Sequence, residues 1–181
     1  MRVGIADHFG WAVAVTASDD HEVIDRRRIE LVEEGVTPAP IHYDSARLDV
    51  AATAALVAEV RASVARAASA AFDELAAALP APIVSLSLRT WPADFPVDIE
   101  TQRRSPYEAR ADAIMYRQIL ADLAASRGWA VHHYDAKDVL GQAAALLAER
   151  ADEVLQGPRT TLGPPWSKDH RVALAATIVF G

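Results

Sequence analysis

The sequence contains no cysteine, which excludes a disulfide framework and a thiolate metal site. It also lacks a run of 18 apolar residues, so it predicts no transmembrane helix and no membrane partner. The first residues do not form a signal-peptide pattern, because Asp7 and His8 interrupt their short apolar run. These absences favour a cytoplasmic protein.

The common local motifs for nucleotide and acyl chemistry are missing as well. The chain has neither of the glycine-rich patterns that bind dinucleotides or triphosphates, GxGxxG and GxxxxGKS. It has no GxSxG elbow for a nucleophilic serine. No two histidines have HxH or HxxxH spacing, so no local motif predicts a histidine metal site.

Positive charge is also scarce, since the formal net charge is −7. A protein that mainly holds phosphate backbones usually carries a basic surface, so a nucleic-acid partner would need a local site here. The basic clusters are Arg26–Arg28 and Arg103–Arg104. We interpret them as the solvated faces of an edge strand and a loop.

The chain has 181 residues, of which 51% are hydrophobic, enough for one domain with a sizeable core. Period-two alternation near the N-terminus predicts three antiparallel strands, and the later patterns alternate between helix and strand. No internal repeat or linker divides residues 1–181, which predicts a single α/β domain. The predicted strands are 2–6, 11–17, 22–32, 82–91 and 129–134, and the predicted helices are 46–79, 106–126, 136–155 and 168–180.

The corner between the first two strands, Asp7-His8-Phe9-Gly10, has two interpretations. A type I turn favours Asp at its first position and Gly at its last, so turn chemistry alone accounts for the sequence. Alternatively, Asp7 ends a central strand because its carboxylate holds a metal ion. The residues at the corner leave both interpretations open.

The order of elements, together with three short stretches, resembles the ribonuclease H-like superfamily, in particular the RuvC-type resolvases. Asp7 and Gly10-Trp11-Ala12-Val13 resemble the end of that family's first strand and the start of its second. Asp169, four residues before Ala173-Leu174-Ala175, resembles the start of its closing helix, and VHHYDAKDVLGQAA resembles its last strand. The resemblance implies a five-stranded mixed sheet, with three antiparallel strands first and then two parallel ones, flanked by helices.

The same resemblance implies a nuclease that cuts nucleic-acid phosphodiesters with Mg²⁺ or Mn²⁺. Such ions need several carboxylates that converge from different elements. Asp7 and Asp169 would be the metal ligands. Catalytic assistance would come from Asp135 or Glu100, and the residues that contact the substrate would be His8, His133, Lys168 and His170.

Two positions depart from the family pattern. The family places a glutamate near the end of the fourth strand, where this chain has Leu86, Ser87 and Leu88. Val172 stands where the closing helix of the resolvases often has a second acid. The departures favour a catalytically inactive ribonuclease H-fold module for binding or assembly, unless Asp94, Asp98 or Asp138 supplies a replacement ligand.

Two further interpretations stay open. A half-size relative of the sugar-kinase and actin fold would share the hairpin opening, but that fold needs two lobes to enclose a nucleotide. The long alanine-rich helix is suited either to pairing with a second copy as a homodimer or to packing on its own sheet.

Overall fold

Five strands form one mixed sheet in the computed structural model, which describes every residue from Met1 to Gly181. In space the strands run β3-β2-β1-β4-β5. β1 is antiparallel to β2, β2 is antiparallel to β3, and β4 is parallel to both β1 and β5. The predicted α/β class and mixed sheet are therefore confirmed. The strands are β1 (Arg2–Asp7), β2 (Trp11–Ala17), β3 (Val23–Glu30), β4 (Ser85–Arg89) and β5 (Ala130–Tyr134).

Helices cover both faces of this sheet. None of them combines the length and the hydropathy that a membrane crossing requires. They are α1 (Val50–Ala78), α2 (Ile99–Gln102), α3 (Glu108–Ser126), α4 (Val139–Leu147), α5 (Ala151–Gln156), α6 (Pro158–Thr161) and α7 (Lys168–Val179).

Alternate residues of β1 supply the two hydrophobic cores. Val3 and Ile5 pack in the core that α1 and α3 cover, whereas Ala6 packs in the core formed with α4, α5 and α7. Successive side chains of a strand point to opposite faces, so a central strand buried on both sides reads as a continuous apolar run. α1 packs its apolar face on its own sheet through residues such as Val60 and Phe72.

Three helix boundaries differ from the sequence prediction. α1 begins at Val50 because the Asp49 carboxylate accepts a hydrogen bond from the Ala52 N–H at 2.7 Å and caps the helix there. α3 begins at Glu108, after a turn in which the Tyr107 N–H bonds to the Arg104 carbonyl. The helix predicted for 136–155 is two helices, since Ala148 has a φ of 50° and interrupts it.

Gly4 permits the closest approach between the sheet and α7. A Cβ atom at this position would lie 1.9 Å from the carbonyl oxygen of Ala173. The helix backbone therefore packs directly on the β1 backbone, and no side chain fits between them. This contact fixes α7 on the face of the sheet opposite to α3.

A buried carboxylate on α3 anchors the segment that precedes α1. Asp112 is 1% exposed and accepts hydrogen bonds from the backbone N–H groups of Ile41 at 3.1 Å and His42 at 2.9 Å. Burial raises the pKa of Asp112 to about 6, although the two backbone hydrogen bonds act to lower it.

This raised pKa predicts a specific pH dependence of stability. A carboxyl whose folded pKa lies above its unfolded value stabilises the fold at low pH, and the contribution is lost as the pH rises through the folded pKa. The free energy of unfolding of the wild type minus that of Asp112→Asn should therefore fall by about 2 kcal/mol between pH 4 and pH 7. Urea unfolding across this range measures it. Asp122→Asn, an exposed site on the same helix, should show no such fall, and a flat difference for Asp112→Asn would contradict the prediction.

Candidate functional site

A cleft of about 580 Å³ opens at the carboxyl ends of the parallel strands β1 and β4. In open α/β sheets, this is the edge at which ligands bind, because the loops that leave the strands diverge there. The cleft is lined by the ends of both strands, the loops that follow them and one side of α3. The polar and aromatic lining residues are Asp7, His8, Phe9, Arg89, Thr90, Trp91, Arg110 and Arg117.

Asp7 ends β1 with its carboxylate buried in the floor of the cleft, where its side chain is only 1% exposed. Its Oδ2 accepts a hydrogen bond at 2.9 Å from Nε of Arg117 on α3. Its Oδ1 is buried without a partner. The carboxylate takes no part in closing the turn after β1. There, the His8 N–H bonds to the Trp11 carbonyl at 2.9 Å and Gly10 has a φ of 80°.

Arg117 reaches the cleft from the middle of α3 with a side chain that is 10% exposed. Besides the ion pair with Asp7, its Nη1 donates to the carbonyl oxygen of Thr90 at 3.3 Å. Its Nη2 has no hydrogen-bond partner in the protein. The Nη2 amino group of this largely buried guanidinium is therefore available to donate a hydrogen bond to a ligand.

Two more arginines of the cleft have no acidic partner. Arg89, at the end of β4, is half-buried, and its Nε is buried without a hydrogen bond. Arg110 is exposed on α3 and forms no ion pair. The lining thus holds three guanidinium groups against the single carboxylate of Asp7. In a chain of net charge −7, this is a local excess of positive charge.

His8 lies at the edge of the cleft and is held in place from two directions. Its Nε2 lies 3.1 Å from the Oδ2 of Asp169, in the first turn of α7. Its ring stacks on Trp11 with a centroid distance of 4.0 Å and an interplanar angle of 9°. Arg28 lies over the Trp11 ring at 4.1 Å. A pair of this kind fixes the ring orientation and leaves Nδ1 free of protein partners.

The resemblance predicts that Asp7 and Asp169 share a metal ion, but in this structure the two carboxylates have separate partners. Asp7 bonds to Arg117 on α3, and Asp169 bonds to His8 from α7. These helices cover opposite faces of the sheet. The topology brings both acids to the same corner, yet the alternation along β1 turns the Asp7 side chain toward α3 and that of His8 toward α7.

The other two predicted acids lie in separate surroundings of their own. Glu100 is exposed on α2 and forms an i,i+4 ion pair with Arg104. An exposed pair of this kind contributes little to stability. Asp135 is exposed after β5, where its Oδ1 accepts a hydrogen bond from the Lys137 N–H at 2.7 Å.

The remaining predicted contact residues divide between α7 and β5. Lys168 is exposed at the start of α7. His170 is buried, and its Nδ1 lies 2.8 Å from the Ser167 hydroxyl and 3.2 Å from the Ser167 N–H, as a capping residue does. Burial, and then the charge of Arg26, lower the pKa of His170. His133 on β5 packs edge-on against Trp91 at 4.6 Å, and although the residue stays open to solvent, partial desolvation and then the charge of His132 lower its pKa.

No group of three or more histidine, aspartate or glutamate side chains is placed to hold a metal ion in this structure. Mg²⁺ and Mn²⁺ bind through several oxygen ligands, and Asp7 has only its buried Oδ1 free. The cationic partner of Asp7 is already present as Arg117. The residues at this corner therefore do not fit a two-metal centre.

Sequence reasoning missed the arginines that dominate the cleft. Arg117 interrupts the apolar stretch IMYRQIL, residues 114–120, in which most side chains are buried. A lone arginine on the buried face of a helix was the available signal, because such a residue needs an acidic partner. Arg89 follows the serines and leucines of β4, close to where the resemblance leads one to look for a glutamate.

No protein-family model matches this chain, and no curated protein matches it either.

Proposed function

We propose that this chain is a ribonuclease H-like module that binds nucleic-acid phosphate in the cleft and does not cut it. The strand order β3-β2-β1-β4-β5, with its antiparallel and parallel pairs, supports the fold assignment. The position of the cleft at the ends of β1 and β4 supports the choice of site, since the resemblance puts the catalytic carboxylates at this corner.

The observation that carries the proposal is the Asp7–Arg117 ion pair in place of a metal centre. A guanidinium 2.9 Å from the carboxylate supplies the positive charge that a divalent ion would otherwise supply. An added dication would also meet the repulsion of the neighbouring arginines. A cleft with this charge distribution would not hold the ion that activates a water molecule and stabilises a leaving oxygen in such nucleases.

The same arginines suit an anionic ligand. Guanidinium groups present several N–H donors in a planar fork that matches the oxygens of a phosphate. Phe9 and Trp91, which also line the cleft, offer aromatic faces to unpaired bases. A single-stranded nucleic acid is therefore the ligand we propose. Its affinity should be salt-sensitive, because each arginine–phosphate contact releases counterions from the nucleic acid.

Fluorescence anisotropy with labelled single-stranded DNA and RNA oligonucleotides tests this function. We expect binding in EDTA that Mn²⁺ does not strengthen, and no cutting of single-stranded or branched substrates when Mn²⁺ is present. Arg110→Gln should weaken binding by about 5- to 10-fold, since it removes one charge-assisted contact at the mouth of the cleft. Arg159→Gln, at an exposed position on α6 outside the cleft, is the matched control and should bind as the wild type does.

Two results would overturn the proposal. Absence of binding to every oligonucleotide in EDTA at low salt would exclude a phosphate-binding cleft. Mn²⁺-dependent cutting that is lost in Asp7→Asn would instead establish the metal-dependent nuclease that the sequence resemblance implies.

A further inference from the structure

We infer that the deep part of the cleft recognises a terminal phosphate monoester of the nucleic acid and that it excludes a phosphodiester in the middle of a strand. This inference rests on the proposed function and adds which phosphate occupies the site. It follows from the different depths of the three arginines.

The arginines form a gradient from the floor of the cleft to its mouth. The Arg117 side chain is 10% exposed, and the Nε of Arg89 is fully buried, whereas Arg110 is exposed. Arg110 and Arg117 are seven residues apart on α3, which separates their Cα atoms by about 10 Å along the helix axis. One phosphate on Arg89 and Arg117 therefore leaves Arg110 free to contact a second phosphate nearer the solvent.

The depth of Arg117 in the cleft discriminates between a terminal phosphate and a phosphodiester within a strand. A phosphodiester within a strand has a sugar on each side, so both sugars would have to enter the cleft before its oxygens met Arg117. A terminal phosphate has one ester substituent and three free oxygens, and it enters with those oxygens foremost. The unpartnered Nη2 of Arg117 then acquires an acceptor.

The charge of the cleft floor also favours a terminal phosphate over a phosphodiester. The floor holds the two guanidinium groups of Arg89 and Arg117 and the carboxylate of Asp7, which is already bonded to Arg117. A phosphate monoester carries about −1.5 to −2 charges at pH 7, whereas a diester carries one. The monoester gains more from a partly buried cationic floor, because the low local dielectric strengthens each charge-assisted hydrogen bond.

The test compares one decathymidylate in three forms: with a 5′-phosphate, with a 3′-phosphate and with hydroxyls at both ends. Anisotropy in EDTA at low salt should show at least one phosphorylated form binding about 10-fold more tightly than the unphosphorylated form. The two phosphorylated forms identify which end is recognised.

Variants separate the floor of the cleft from its mouth. Arg89→Gln should bring the ratio between phosphorylated and unphosphorylated ligand close to one. Circular dichroism checks that the Arg89→Gln variant is folded. Arg89→Lys keeps the positive charge but loses the planar, paired donors of the guanidinium. Its ratio should therefore lie between that of Arg89→Gln and that of the wild type. Arg110→Gln should weaken all three ligands by a similar factor and preserve the ratio.

The outcomes distinguish this inference from the proposed function. Equal affinity of the wild type for all three ligands, with a loss in Arg110→Gln, would overturn the terminal-phosphate inference and leave phosphate binding intact. An Arg89→Gln variant that is folded and keeps the full ratio would also overturn it. Failure of all three ligands to bind would overturn the proposed function as well.

Discussion

Replacing Arg117 by methionine should lower the free energy of unfolding by about 3–5 kcal/mol. Methionine fills much of the same space, but it leaves the Asp7 carboxylate buried at 1% exposure without its cationic partner. A buried charge that loses its partner keeps the full cost of desolvation, which is why the expected effect is large. Urea unfolding monitored by circular dichroism at pH 7 measures the loss.

A double-mutant cycle shows whether this loss comes from the pair. In an Asp7→Asn background, replacing Arg117 leaves no buried carboxylate without a partner, so Arg117→Met should cost at least about 2 kcal/mol less than it does in the wild type. If Arg117→Met changed stability by the same amount in both backgrounds, Asp7 and Arg117 would not be coupled. The electrostatic account of the cleft would then be wrong.

Gly4→Ala should destabilise the protein by about 3 kcal/mol, at the upper end of the usual range for overpacking. The added methyl group would lie 1.9 Å from the Ala173 carbonyl oxygen, a backbone atom that moves only if α7 shifts as a whole. Thermal or urea unfolding measures the effect. Because α7 carries Asp169, the shift should also disturb the contact with His8.

Gly141→Ala is the matched control for this substitution. Gly141 lies in α4, and a Cβ atom there would meet nothing within 4 Å. The same chemical change should therefore stabilise the protein by about 0.5–1 kcal/mol through helix propensity. A Gly4→Ala variant as stable as the wild type would show that β1 and α7 do not pack as closely as described.

The strands were accessible from the sequence because their signal is local. Alternation along 2–6 and 11–17, with a four-residue corner between them, defines a hairpin without knowledge of the rest of the chain. The closing helix could also be predicted from the sequence, since Ser167 is a capable cap and precedes an apolar run. The helix boundaries were harder to predict from the sequence. Asp44, Ser45 and Asp49 are all capable helix caps, and only Asp49 bonds to the first turn of α1.

The chemistry of the site was not accessible in the same way, because it depends on a contact between residues 110 positions apart. The position of Asp7 at the end of a central strand was predicted correctly. What the sequence does not specify is which helix its carboxylate faces. That choice follows from the pleat of β1 and from the packing of α3 against one face of the sheet, which places Arg117 beside Asp7. The short motif at 7–10 therefore predicts where Asp7 lies, but it does not predict that Arg117 is the partner of its carboxylate.

The central claim is that the corner after β1 is an anion site and not a metal centre. Anomalous diffraction from crystals soaked in parallel with Mn²⁺ and with tungstate, a heavy-atom analogue of phosphate, tests it most directly. The account predicts a tungsten peak between Arg89 and Arg117 and no manganese peak beside Asp7. A manganese ion within about 2.2 Å of an Asp7 carboxylate oxygen, with Asp169 as a second ligand, would contradict it.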